Sequence, residues 1–273
     1  MKAAYTGWTW LVNHGDNHKW EFEQALKEAA DLGYAAVENF SFIQDYFDNN
    51  ADEVAGLLKK YDLEMANLYL HFSDDAAGDF KKAQRVIPFA KKIGTSFINL
   101  QAVMWNDPPN DRPTDESIVK DYAKRSNEVG ALCKENGIVA CFHPHANTHV
   151  FTEREIDILM ENTDPDKVSL CIDTAHTYIA GMDVVKAFEK FAGRIDFVHF
   201  KDVDPDESVR PEWPMARFKP LGDGVVDFKG VHKVLQKHGY DGVICVELDN
   251  PPVCNYKAAM VSARYLRDVI GIM

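Results

Sequence analysis

Long apolar runs are missing from this chain of 273 residues. No window reaches the ~18 to 20 uninterrupted apolar residues of a membrane span, and Met1 leads into KAAYTGWTW rather than into an apolar signal region. A soluble, cytoplasmic protein with no membrane partner is the expectation. Basic residues are outnumbered 43 to 30, which leaves a formal net charge of −13. Nucleic-acid binders need a concentrated basic face, so a nucleic-acid partner is disfavoured. Cysteine is scarce and unpatterned: Cys133, Cys141, Cys171, Cys245 and Cys254 contain no CxxC and are odd in number. Reduced thiols without a chemical role are expected. The chain also lacks a GxGxxG after its first apolar run and a P-loop anywhere, the usual phosphate cradles of open α/β sheets. Nor does a Pro/Gly/Ser-rich linker interrupt it, so residues 1–273 read as one domain.

What the chain does contain is regular alternation. Eight apolar runs of strand length are found at Lys2 to Trp10, Tyr34 to Phe40, Glu64 to Phe72, Ser96 to Val103, Ile138 to Pro144, Val168 to Ala175, Ile195 to Val203 and Gly242 to Asp249. Amphipathic segments of helical period separate them, among them WEFEQALKEAADLG, IVKDYAKRSNEVGALCKENG and FKGVHKVLQKHG, several ending in a glycine stop. Eight strand and helix units at about 34 residues each predict an α/β fold, the (β/α)₈ barrel, with a doubly wound open sheet as the alternative.

The polar residues favour the barrel. Read toward their C-terminal ends, the strand candidates carry Glu38, His71, Gln101, His143 with His145, Asp173 with His176, His199 with Lys201, and Glu247. Enzymes on barrels build their sites at that face, so these side chains should share one pocket. Singly, each has a plainer role: Asp173 as a helix cap, His199 as a satisfied buried histidine, Glu38 or Glu247 as a backbone partner. Together, His143, Asp173, His199 and Glu247 make a two-imidazole, two-carboxylate set. It suits one divalent ion, Mn²⁺, Co²⁺, Fe²⁺ or Zn²⁺, better than Mg²⁺ or Ca²⁺, which favour oxygen shells. Among the aromatics, Trp8, Trp10 and Trp105 at strand ends are candidates to wall a sugar pocket, with Trp213, Tyr5, Phe40 and Tyr69 behind them. The segment from Asp204 to Pro220, which holds Arg217, reads as a lid or as a subunit contact, which leaves a homo-oligomer open.

The motifs CIDTAH, VHFKD, PLGDGVVDF and VICVEL, with YAAVENF around Glu38, resemble the xylose-isomerase-like barrels. That family includes sugar isomerases and epimerases, inosose dehydratases and apurinic endonucleases of the second type. The run CFHPHANTHVFTEREIDILMENTDP is most similar to the inosose dehydratases. Many epimerases of the family carry Glu where His143 stands, and use it with the last-strand Glu as a symmetrical proton-transferring pair; here only Glu247 remains. The endonuclease branch is similar at His71, Asp173, His176, His199 and Glu247, but Gln101 stands in place of its strand-four histidine and no Asp-x-His occurs between Asp223 and Asp227.

The resemblance implies a metal-dependent lyase acting on a keto-cyclitol or keto-sugar through an enediolate, as in inositol catabolism, with a sugar isomerase or epimerase as the alternative. It makes His145 the candidate general base, with Glu247 as the other choice. The acid is Lys201, His176 or His143, and His143 is either a ligand or an acid/base group. Trp8, Trp10, Glu38, His71, Gln101, Trp105 and Arg217 are the candidate contacts to a small polyol or sugar, phosphorylated or not.

Overall fold

The computed structural model describes residues 1–11, 17–104, 113–208, 214–249 and 254–273. Each of the eight apolar runs forms a strand: β1 Lys2–Thr6, β2 Ala36–Phe40, β3 Glu64–His71, β4 Phe97–Gln101, β5 Val139–Phe142, β6 Val168–Asp173, β7 Ile195–Phe200 and β8 Val243–Val246. All neighbouring pairs are parallel, and β8 returns to β1 to close the barrel. The doubly wound alternative is thereby excluded.

Closure sorts side chains by a period of two. One set points outward beneath the helices and forms the main core, in which Leu68, Leu100, Ile172, Val198 and Ile244 are fully buried. The other points into the barrel, where Ala4, Ala36, Ala66, Cys141, Cys171, Phe197, Val243 and Cys245 form a separate inner cluster. Residues two positions further along the strands continue that inner column toward the mouth. His143, Asp173, His199 and Glu247 therefore sit one layer above Cys141, Cys171, Phe197 and Cys245.

Helices cover the outside: α1 His18–Asp31, α2 Ile43–Tyr46, α3 Ala51–Lys60, α4 Ala76–Lys92, α5 Glu116–Glu135, α6 Glu153–Asn162, α7 Thr174–Ile179, α8 Val184–Phe191, α9 Phe228–Lys237 and α10 Asn255–Tyr265. Side-chain caps start many of them. Asp75, Asp115, Asp183 and Asp227 each accept a backbone N–H of the first turn, and Thr152 with Glu155 forms a reciprocal capping box on α6. Two features depart from the sequence reading. The sixth run stops at Asp173, whose carboxylate caps α7 immediately. The seventh breaks at Lys201, after which Asp202–Val203 pairs antiparallel with Phe218–Lys219 as a small flap over the mouth.

Two buried charges hold the loops at that face. Asp202 accepts backbone N–H bonds from Val203, Gly222, Gly224 and Val226 at 2.9 to 3.0 Å, which folds the PLGDGVV loop around one carboxylate. A Cβ on Gly224 would stand 2.4 Å from Asp202 Oδ1 and from the Val203 carbonyl, so glycine is required there. On the other side, Arg125 of α5 pairs with Asp79 of α4, donates to the Ser73 carbonyl, and lies over the Phe72 and Tyr122 rings. Asp79 also accepts from the Ser73 N–H and hydroxyl. Because Arg125 would be left charged and buried with only the more exposed Asp121, 3.6 Å away, as a counter-charge, Asp79→Ala should lower stability by about 3 kcal/mol. A urea-unfolding midpoint within error of the parent protein would contradict this.

Candidate functional site

At the C-terminal mouth of the barrel, His143, Asp173, His199 and Glu247 each offer one ligand atom, and these atoms lie within 4.8 Å of one another, all buried. Parallel register brings them there: Asp173 is the partner of His199, and Cys245, two residues before Glu247, is the partner of His199 on its other side.

Hydrogen bonds decide which nitrogen of each imidazole is left for chemistry, because a carbonyl can only accept and a backbone N–H can only donate. His143 Nδ1 lies 3.3 Å from the Cys171 carbonyl and so carries the proton. Its Nε2 is then a bare lone pair, buried and without a partner. His199 Nε2 donates to Glu38 Oε2 at 3.0 Å, leaving Nδ1, 3.8 Å from Glu247 Oε2, as the nitrogen that could hold a cation. Asp173 divides its oxygens: Oδ1 accepts the His176 N–H at 2.8 Å as a cap, while Oδ2 has no hydrogen bond. Both roles read from the sequence for Asp173, cap and ligand type, are thus available to one side chain.

The electrostatics fit a cation. Burial, opposed by Lys201 and reinforced by Glu247, raises the Asp173 carboxyl to about 6. Burial also opposes charge on His199, yet Cys171, Glu38 and Glu247 together hold its pKa well above the usual histidine value. An orphaned imidazole lone pair beside a carboxylate short of compensating charge is what a borderline divalent metal neutralises.

Beside this set, His145 and His176 pack against each other with ring centroids 3.9 Å apart and planes tilted by 43°. One residue orients both. The Ala146 carbonyl accepts from His145 Nδ1 at 2.6 Å, and the Ala146 N–H donates to His176 Nδ1 at 3.2 Å. The two rings are therefore held in opposite tautomers, His145 presenting a lone pair at Nε2 and His176 an N–H at Nε2. Although His143, His145 and His176 also have donor atoms within 4.8 Å of one another, a neutral His176 has no lone pair to give at Nε2. Burial first, then the charge on Lys201, pushes His145 down to about 3 and keeps it neutral.

Lys201 is fully buried, with Nζ 2.8 Å from Glu247, 3.1 Å from Asp249 and 3.6 Å from Asp173, above the Phe218 ring. These carboxylates outweigh the burial penalty and hold its pKa above the usual lysine value.

The other sequence candidates spread around this centre. Glu38 is completely buried and occupied by His199 and by Asn67 Nδ2, which places it beneath the ligand ring rather than on the pocket wall. Trp10 packs edge-to-face with Tyr5 and donates its indole N–H to Glu28 of α1, on the helix side of the barrel. Trp8 packs on Phe40, which touches His71 and Tyr69, so these four form one aromatic wall. His71 lines a cavity of about 290 Å³ with Phe72, Ser73, Asp74, Ala102, Val103 and Met104, and burial, then Lys82, lowers its pKa to about 4. Gln101 is beside His71 in the β3–β4 register. Arg217 is buried, bonded through Nε to the Asp204 carbonyl, with Nη2 unpartnered. Trp105 and Trp213 lie outside the described residues. Sequence reasoning missed Asp249, Asn67, Asn99 and Cys171. Strand alternation was the available signal, since Cys171 and Asn99 precede Asp173 and Gln101 by two.

The closed parallel barrel with its polar residues gathered at the C-terminal mouth is the frame of the family model "Xylose isomerase-like TIM barrel", which the chain matches over residues 26–268. The chain belongs to that family. Among its relatives is an inosose dehydratase from Geobacillus thermodenitrificans, 38% identical over 157 residues, 54% of this chain and 53% of that protein, so the chain spans about half that relative's length. An inosose dehydratase from Geobacillus kaustophilus is 31% identical over 270 residues, 89% of this chain and 86% of that protein. Among solved structures, the IolI protein with a binding zinc atom superposes with a TM-score of 0.77 at 18% identity, over 99% of this chain and 98% of that one, a likeness of fold. No helix among the described residues is long and apolar enough to cross a membrane.

The hydrogen-bond logic is open to direct measurement. In two-bond ¹H–¹⁵N spectra of metal-free protein, His143 and His145 should show the Nδ1–H tautomer and His176 the Nε2–H tautomer. Assignment by single His→Gln variants that returned the same tautomer for His145 and His176 would refute the Ala146 lock.

Proposed function

We propose that this chain is a metal-dependent dehydratase of a keto-cyclitol or keto-sugar such as an inosose. One divalent ion, zinc, cobalt, iron or manganese, would be held by His143 Nε2, Asp173, His199 Nδ1 and Glu247. When bound, it supplies Lewis acidity toward a substrate carbonyl and its neighbouring hydroxyl, which acidifies the α-proton. The observation that carries the reading is the asymmetry of the proton-handling groups: a lone pair on His145 beside an N–H on His176, with no carboxylate in the strand-five position that a symmetrical epimerase uses.

His145 Nε2 takes the α-proton, and the Ala146 carbonyl bonded to Nδ1–H stabilises the imidazolium that forms. His176 Nε2–H orients a substrate oxygen; a neutral imidazole is too weak an acid to release that proton. Lys201, confined among its carboxylates, keeps its charge and is a poor donor. The protonated His145 is left as the acid, returning its proton to the departing β-hydroxyl so that water is lost from an enediolate. Trp8, Phe40 and His71 wall the pocket, and Gln101 and Arg217 contact the hydroxyls. The relatives named inosose dehydratases support this choice of substrate class, and residues 1–273 act as one cytoplasmic domain.

Asp173→Ala or Glu247→Ala should remove bound metal, by elemental analysis, and abolish turnover. His145→Ala should lower turnover by roughly 10² to 10⁴ with metal content retained, as for a lost general base; an equal loss of metal would make His145 a ligand instead. With an inosose, an absorbance scan should show a dehydrated, ultraviolet-absorbing dione, while free ketohexoses remain largely unchanged by sugar chromatography. Efficient ketohexose epimerisation without a dehydrated product would reverse the proposal.

A further inference from the structure

The barrel-lining thiol of Cys171 lies in direct contact with a ligating imidazole. Its Sγ is 3.3 Å from His199 Nδ1, closer than the 3.8 Å that separates the same nitrogen from Glu247 Oε2. Glu38 occupies Nε2, so Nδ1 is the only nitrogen His199 can offer a cation, and a cation arriving there must displace the contact with sulfur. Cys171 would then be left with a buried, unpaired S–H, or it would itself ligate.

Three observations favour ligation. His143, Cys171 and His199 each have a donor atom within 4.8 Å of the others, and all three residues are buried. The Nε2 of His143 has no partner. Asn99 Nδ2 donates to Cys171 Sγ at 3.4 Å, an N–H to sulfur bond that stabilises developing negative charge on a thiolate. Asn99 is itself held, its backbone N–H donating to Asn67 Oδ1 while Asn67 Nδ2 bonds Glu38. A ring of contacts thus runs from Glu38 through His199, Cys171, Asn99 and Asn67 and back to Glu38. Such a frame orients a ligand set from below.

We infer that Cys171 is a metal ligand on the inner side of the centre, and that it selects thiophilic divalent cations of the zinc and cobalt kind over manganese and magnesium. Soft thiolate donors favour that class, whereas oxygen donors suit Mg²⁺ and Mn²⁺. In the binding step metal–sulfur and metal–nitrogen bonds would form, the S–H bond of Cys171 and the Nδ1–H bond of His199 would break, and both protons would leave to solvent through the mouth. The inference rests on reading His143, Asp173, His199 and Glu247 as a metal centre, but not on the identity of the reaction.

Cobalt(II) tests both separately. Metal-free protein carrying Cys254→Ser, which removes the exposed thiol, is titrated with Co²⁺, and bound cobalt is counted by equilibrium dialysis while the near-ultraviolet spectrum is recorded. About one bound cobalt per chain with a sulfur-to-cobalt charge-transfer band is expected. The band should persist in Cys245→Ser and vanish in Cys171→Ser. In Cys171→Ser, the preference for Zn²⁺ over Mn²⁺ in competition should fall by at least the 10- to 100-fold typical of losing a partner one shell further out. Cobalt bound without the band, or a band that survives Cys171→Ser in protein of unchanged circular dichroism, overturns the assignment of sulfur alone. Absence of any bound cobalt overturns the metal centre and this inference with it.

Discussion

Glu38, Asp173, Glu247 and Asp249 bring four carboxylates into the mouth of one barrel, and the interaction on which the rest depends is the ammonium of Lys201 buried among three of them. Removing carboxylates from water is costly unless opposite charge and hydrogen bonds replace it. Lys201 reaches Asp173, Glu247 and Asp249, while His199 and Asn67 both bond Oε2 of Glu38 and leave its Oε1 without a hydrogen bond. The compensation is incomplete at Asp173, whose Oδ2 has Lys201 at 3.6 Å but no hydrogen bond and whose pKa is raised, which marks where further positive charge would fit. In the proposed reading, lysine and cation would be complementary parts of one charge balance, with Lys201 keeping its proton.

Around that balance, peptide groups and amides assign roles that residue type alone leaves open. Four histidines stand together, yet only their partners distinguish a ligand from a base or a donor. The Cys171 carbonyl turns His143 Nε2 toward the centre, Glu38 does the same for His199 Nδ1, and Ala146 holds His145 and His176 in opposite states. Each of these partners is buried, so the tautomers are fixed in a low-dielectric setting where a wrong proton position is expensive. The loops that complete the mouth are held just as locally: Asp202 gathers four N–H groups of its own loop, and Arg125 ties the segment after β3 to two helices.

By itself the sequence determined the strands, the barrel and the convergence of His143, Asp173, His199 and Glu247. These follow from local rules: strand-length apolar runs, helical period between them, and polar residues at the C-terminal ends that a closed sheet must bring to one face. The helix caps that the structure shows at Thr152 with Glu155, at Asp183 and at Asp227 are equally local. What the tertiary structure alone decided depends on distances across the barrel. Glu38 and Trp10 have the composition of pocket residues, but register places one under His199 and the other against α1. Asp249, Asn67 and Asn99 lie outside the quoted motifs and Cys171 opens one without any sign of a role, and they matter because closure sets each of them against a partner 28 to 72 positions away. Hydrogen bonds of that span have no periodic trace in a chain, whereas the strands that create them do.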